Sequence, residues 1–124
     1  MMTLTKAEEK IMMILWDIDK GFIKDIIEQY PDPKPPYNSV STIVRVLVQK
    51  EIVGYTAYGK SHQYHPLITK DEYSKGQLSR LMKNYYNNSF KQVVNFFSES
   101  EKLNKEELDE AIRMLEELKS QKDE

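Results

Sequence analysis

The sequence predicts a mainly α fold with one small β-hairpin: a winged helix-turn-helix followed by a C-terminal helical region. Three observations predict it. Apolar residues recur at helical spacing through three short segments up to Lys50. Across Tyr55–His65 the period drops to that of a strand, with Gly59-Lys60 at the centre. After Pro66 the helical period returns and persists to the end. The order predicts a winged helix at 1–68 and a helical region at 69–124.

Thr5 and Glu8 have the spacing of a capping box, whose side chains satisfy each other's free backbone donors. Ala7, Ile11, Ile14, Leu15 and Ile18 follow, placing a first helix at about 6–17. Trp16 is expected in the core with its N–H bonded. Ile23, Ile26, Ile27 and Tyr30 predict a second helix at about 22–30. Pro31, Pro33, Pro35 and Pro36 then stiffen a loop that cannot be helical.

Tyr37 to Lys50 predicts a helix with two unlike faces, its start capped by Asn38 or Ser39. Val40, Ile43, Val44, Leu47 and Val48 fall on one side, and Thr42, Arg45 and Gln49 on the other, with Ser41 at the boundary. Small polar side chains with one arginine can lie against base edges in a major groove. The alternative is the solvated face of an ordinary core helix. The hairpin that follows favours the first reading. Glycine at the first central position suits a type II′ turn, and the tip Gly59-Lys60 can reach a neighbouring phosphate.

In the C-terminal region, Thr69 and Glu72 form a second capping box, opening a helix at about 70–86. Ser89 can cap a helix at about 90–98, and Asn104 with Glu107 forms a third box before a helix at about 105–120. These helices carry Leu78, Leu81, Met82, Tyr85, Phe90, Val93, Val94, Phe97, Leu108, Ile112 and Leu115. That is more apolar face than they can bury alone, so a homodimer through these residues is expected; docking back onto 1–68 is the alternative.

Composition excludes several function classes. With no cysteine there are no disulfides, thiol catalysis or thiolate metal sites. His62 and His65, three apart on a strand, point to opposite faces, so no metal or cofactor is expected. No nucleophile, phosphate loop or carboxylate pair stands out, so the chain does not read as an enzyme. No apolar run reaches the roughly 18 residues of a membrane span. Lacking a signal-peptide layout as well, the chain is expected in the cytoplasm. The net charge of −2 conceals a polarity: residues 34–65 carry net +3 and residues 98–124 net −5. Such a chain can present a modestly basic surface to phosphate.

LTKAEEKIMMILW at 4–16, NSVSTIVRVLVQKEIV at 38–53, GKSHQYHPLI at 59–68 and VVNFFSESEKLNKEELDEAIRMLEEL at 93–118 resemble the penicillinase-repressor (BlaI/MecI-type) transcriptional regulators. The resemblance lies in the ordered set, which covers almost the whole chain. It implies a repressor of antibiotic-resistance or stress genes that binds a palindromic DNA operator as a homodimer. It also implies induction by a membrane-bound sensor metallopeptidase that triggers cutting in the dimerisation region. Carried over through Val93-Val94-Asn95-Phe96, the scissile bond would be Asn95–Phe96. DNA contacts are expected from Ser39, Ser41, Thr42, Arg45, Gln49, Gly59 and Lys60, with Arg45 carrying sequence preference. Many members have an arginine immediately before the leucine of the third helix. Here that position is Val46, and the arginine lies one place earlier at Arg45. Two rival readings remain: a repressor released by a small molecule, and a winged helix that binds protein and no DNA.

Overall fold

The first helix, α1 (Lys6–Ile18), starts at a complete capping box. Thr5 Oγ1 accepts from the Glu8 N–H at 3.1 Å, and Glu8 Oε1 accepts from the Thr5 N–H at 2.8 Å. In this computed structural model, which describes residues 3–100 and 103–122, the same device opens the later helices. Thr69 and Glu72 exchange the two bonds at α4 (Lys70–Tyr86), and Asn104 and Glu107 do so at α6 (Lys105–Lys122). Ser89 Oγ accepts from the Gln92 N–H at α5 (Phe90–Ser100). The second helix, α2 (Ile23–Glu28), is shorter than its apolar spacing predicts. It has no side-chain cap at Phe22; instead Asp25 Oδ2 reaches back to accept from the Phe22 N–H at 2.8 Å. At its far end Lys34 Nζ donates to the Glu28 and Tyr30 carbonyls, closing the helix against the proline loop.

The third helix, α3 (Tyr37–Gln49), corrects the expectation about its cap. Its N-cap residue is Pro36, without a side-chain hydrogen bond, and both Asn38 and Ser39 lie inside the helix. Proline suits an N-terminus whose first donors are unpaired in any case. The helix is closed by Glu51 in the left-handed region at φ 63°, with the Ile52 N–H donating to the Leu47 carbonyl at 3.0 Å. Gly54 lies in strand β1 (Val53–Tyr58).

Strand β1 pairs antiparallel with β2 (Ser61–Pro66), from Val53 opposite Pro66 to Tyr58 opposite Ser61. The connection is the two-residue turn Gly59-Lys60, with Gly59 at φ 63°. A positive φ at the first central residue is what a II′ turn demands. Gly21 adds an isolated bridge to β2: its N–H donates to the Tyr64 carbonyl at 2.9 Å and its carbonyl accepts from the Tyr64 N–H at 2.8 Å. The wing is thereby stitched to the break between α1 and α2.

The core of the first unit is built from Ile11, Met12 and Leu15 of α1, Ile26 of α2, Val40, Val44 and Leu47 of α3, and Val53 of β1, all fully buried. Met12 belongs to it and Ala7, expected on the buried face, is exposed. Trp16 is half-buried; its Nε1–H donates to the Ile68 carbonyl at 2.9 Å, and its ring lies 5.7 Å from Tyr73. These contacts join the start of α4 to the first compact unit. The division falls after Leu78, within α4.

In the second unit α4 ends in a turn where Asn87 and Asn88 take positive φ and the Asn88 N–H donates to the Met82 carbonyl at 2.8 Å. Helices α5 and α6 follow, each running slightly beyond its predicted end, to Ser100 and Lys122. No described residue of α4, α5 or α6 is buried.

Candidate nucleic-acid interface

Helix α3 is held to the rest of the first unit by an ion pair that sequence reasoning missed. Glu8, a first-turn capping residue, is 4% exposed, and its Oε2 lies 2.8 Å from Lys50 Nζ, just past the end of α3. Burial raises the Glu8 pKa. The Lys50 hydrogen bond, the Thr5 backbone N–H and the Lys50 charge outweigh it, so the carboxyl sits below its ordinary value. The only sequence signal was the capping box itself, which places the glutamate on the inner side of α1.

The outward surface of α3 is formed by Asn38, Ser39, Thr42, Arg45 and Gln49, all exposed. Thr42 Oγ1 donates to the Asn38 carbonyl at 2.8 Å, which leaves the oxygen free to accept. Ser41, expected at the polar boundary, is buried at 8% exposure. It nevertheless lines the floor of a cleft of about 650 Å³ between α2, α3 and the wing. The cleft brings together Tyr37, Ser41 and Arg45 of α3, Lys24 of α2, and Tyr58, Lys60 and His62 of the wing. Arg45, Lys24 and Lys60 contribute three cations, and no carboxylate lines the cleft. Tyr64 at its base has its pKa raised, first by burial and next by Tyr37, against a smaller opposing effect of Arg45.

Gly59 at the wing tip is exposed, and a Cβ there would meet no atom within 4 Å. His62 stacks on Tyr55 with ring centroids 4.2 Å apart and planes 8° from parallel. His65 lies on the other face opposite Gly54, so the two histidines do not converge. Among the described residues no cluster of histidines and carboxylates could hold a metal ion, and no helix is long and apolar enough to cross a membrane. Lys24, Tyr37 and Tyr58 were not anticipated. Nothing in their spacing marks them, because they meet only after the wing folds back over α2 and α3.

Most of the expected dimer residues are exposed. Phe90, Val94 and Phe97 of α5 are 56%, 46% and 42% exposed, and Leu108, Ile112 and Leu115 of α6 are 45%, 51% and 44% exposed. Leu78, Leu81 and Tyr85 of α4 are exposed, whereas Met82 and Val93 are half-buried. Asn95 and Phe96 are exposed and lie inside α5, where the Ser98 hydroxyl donates to the Asn95 carbonyl at 2.7 Å.

Three helices, a hairpin wing and a cationic cleft beside an exposed helix face define a winged-helix module of the nucleic-acid-binding class. The penicillinase repressor family model matches residues 4–117. The chain belongs to that family, whose members are transcriptional regulators and not enzymes. It is 24% identical over 126 residues to the penicillinase repressor of Bacillus licheniformis, spanning 98% of this chain and 95% of that one. Among solved structures, the CopR repressor is 25% identical over 54% of this chain and 99% of its own, with a TM-score of 0.45. The Bordetella bronchiseptica protein BpsR, whose DNA binding is regulated by 6-hydroxynicotinic acid, is 15% identical over 95% of this chain and 76% of its own, with a TM-score of 0.48. The protein is a DNA-binding transcriptional repressor.

Proposed function

We propose that the repressor binds a palindromic operator as a homodimer and is released when its C-terminal region is cut. The observation that carries this reading is an asymmetry of burial. The winged helix closes its own core, while the apolar stripes of α5 and α6 stay roughly half exposed in the single chain. Stripes at helical spacing on two successive helices are what a second copy can cover. Each copy then presents α3 and the wing tip to one half-site, with recognition helices about 34–36 Å apart or a multiple of that. The second contact becomes intramolecular, which raises affinity by roughly 10² to 10⁴.

The family resemblance supplies the release step: a membrane-bound sensor metallopeptidase triggers cutting at Asn95–Phe96. Both residues are exposed, and the bond lies within helix, so a protease must open α5 locally before it can bind an extended substrate. Cutting there separates Phe96, Phe97 and all of α6 from the winged helix, so occupancy falls through lost avidity while the reading face is untouched. With a double-stranded DNA operator as its target, the repressor works in the cytoplasm on this reading.

The test combines light scattering with a gel shift on DNA from upstream of the protein's own coding sequence. A dimer that shifts this DNA, and loses it when the chain is shortened at residue 95, supports the reading. A monomer with unchanged operator affinity overturns the dimer mechanism. Release by a small compound at full chain length overturns the cleavage step.

A further inference from the structure

The polar side of α3 carries two rows. Tyr37, Ser41 and Arg45, four residues apart, line the cleft against the wing. Asn38, Thr42 and Gln49 lie on the order of 80° further round the helix, at about 100° per residue. The first row does not stand alone. Lys24 of α2 and Lys60 of the wing tip line the same cleft, so cations from three separate elements meet in one concavity.

Some cations of the unit are already committed to partners. Lys34 is tied to the end of α2, Lys50 to Glu8 and Lys75 to Asp71. Lys24, Arg45 and Lys60 make no hydrogen bond or ion pair among the described residues. The chain as a whole is net negative, at −2, so a pocket of unneutralised positive charge is not a by-product of composition. Gathered like charges repel, and an anion seated among them removes that repulsion. The neighbouring hydroxyls of Tyr37, Ser41 and Tyr58 can donate to the same oxygens.

We propose that this cleft seats a backbone phosphate of the bound duplex, held by Lys24, Arg45 and Lys60, and that base reading falls to the outer row of Asn38, Thr42 and Gln49. This rests on the DNA-binding reading and divides its residues into two jobs. Arg45 fixes the register of α3 on the backbone and carries no sequence preference. Asn38 joins the readers, with an amide that can bond adenine at two atoms. Lys24, on a different helix, becomes part of the DNA surface.

The experiment uses the full-length protein and two duplexes of equal length, one from upstream of its own coding sequence and one a scrambled version. Affinities are measured across a salt series for wild type, Lys24→Ala, Arg45→Ala, Arg45→Lys and Asn38→Ala. All three positions are exposed, and unchanged thermal melting confirms that the variants fold. Lys24→Ala and Arg45→Ala are expected to weaken both duplexes by the same factor. Each should lower the salt slope by about 0.9 and keep the ratio between duplexes. Arg45→Lys should restore the slope, since a phosphate accepts a point charge where bidentate base reading does not. Asn38→Ala should cut the ratio by roughly fivefold or more with the slope unchanged. Arg45→Ala that collapses the ratio makes Arg45 a base reader and overturns the division. Lys24→Ala indistinguishable from wild type shows that no phosphate occupies the cleft. Wild-type protein that shifts neither duplex overturns the DNA-binding reading itself, and the cleft's role with it.

Discussion

Glu8 and Lys50 are unequal partners, and the inequality is testable. Glu8 is buried and Lys50 is nearly half exposed. Removing the lysine strands a carboxylate away from water, whereas neutralising the glutamate leaves an ammonium that water can reach. Lys50→Ala is therefore expected to cost more in urea unfolding than Glu8→Gln, about 3 kcal/mol against about 1. The pH dependence follows from the lowered Glu8 pKa. Its stabilising contribution is complete above the ordinary carboxylate range and is lost as pH falls through the depressed folded value. Glu8→Gln should thus lose less stability between neutral and acid pH than wild type. An equal acid loss in the two proteins would show that the pair does not set it.

At the scale of elements, the two ends that shape the interface use the left-handed region differently. Gly59 needs it for the wing turn, and the space around its Cα is empty. Gly59→Ala therefore meets no clash but carries backbone strain of about 1 kcal/mol, which should lower the melting temperature slightly and weaken DNA binding by displacing Lys60. Glu51 occupies the same region at the end of α3 without being glycine. Glu51→Gly should stabilise the protein by roughly 0.5 kcal/mol, since relief of strain exceeds the added freedom of the unfolded chain. Differential scanning calorimetry separates the two signs. A destabilised Glu51→Gly would mean that the acidic side chain does more at that position than cap the helix.

For the whole molecule, the decisive fact is which surfaces one chain can bury. The fully buried side chains all fall between Ile11 and Val53 in the sequence, and no described residue of α4, α5 or α6 is buried. Deleting residues 99–124 is expected to leave a folded winged helix with a cooperative melt, while affinity for a two-half-site duplex drops by roughly 10² or more. Retained operator affinity would remove the avidity argument. Asn95→Ala tests the proposed scissile bond separately: cutting at 95–96 by the cognate sensor system in that variant would show that the asparagine is not required.

The sequence alone determined the order of elements, because the information is local. Capping pairs such as Thr5 with Glu8 and Asn104 with Glu107 are three residues apart, and the change of period at Tyr55 is visible in a window of ten. It also marked α3, Gly59 and Lys60 as surface that could face DNA. Contacts between distant residues were decided only by tertiary structure. Ser41 came to lie buried at the floor of a cleft, Glu8 found Lys50 across 42 positions, and Lys24 met Arg45 and Lys60 in the same cleft. A helical period says which residues share a face; it cannot say what lies opposite, because that depends on how separate elements pack. The charge on α3 was legible from the start, but its partners in the cleft came from elements whose spacing carries no trace of them.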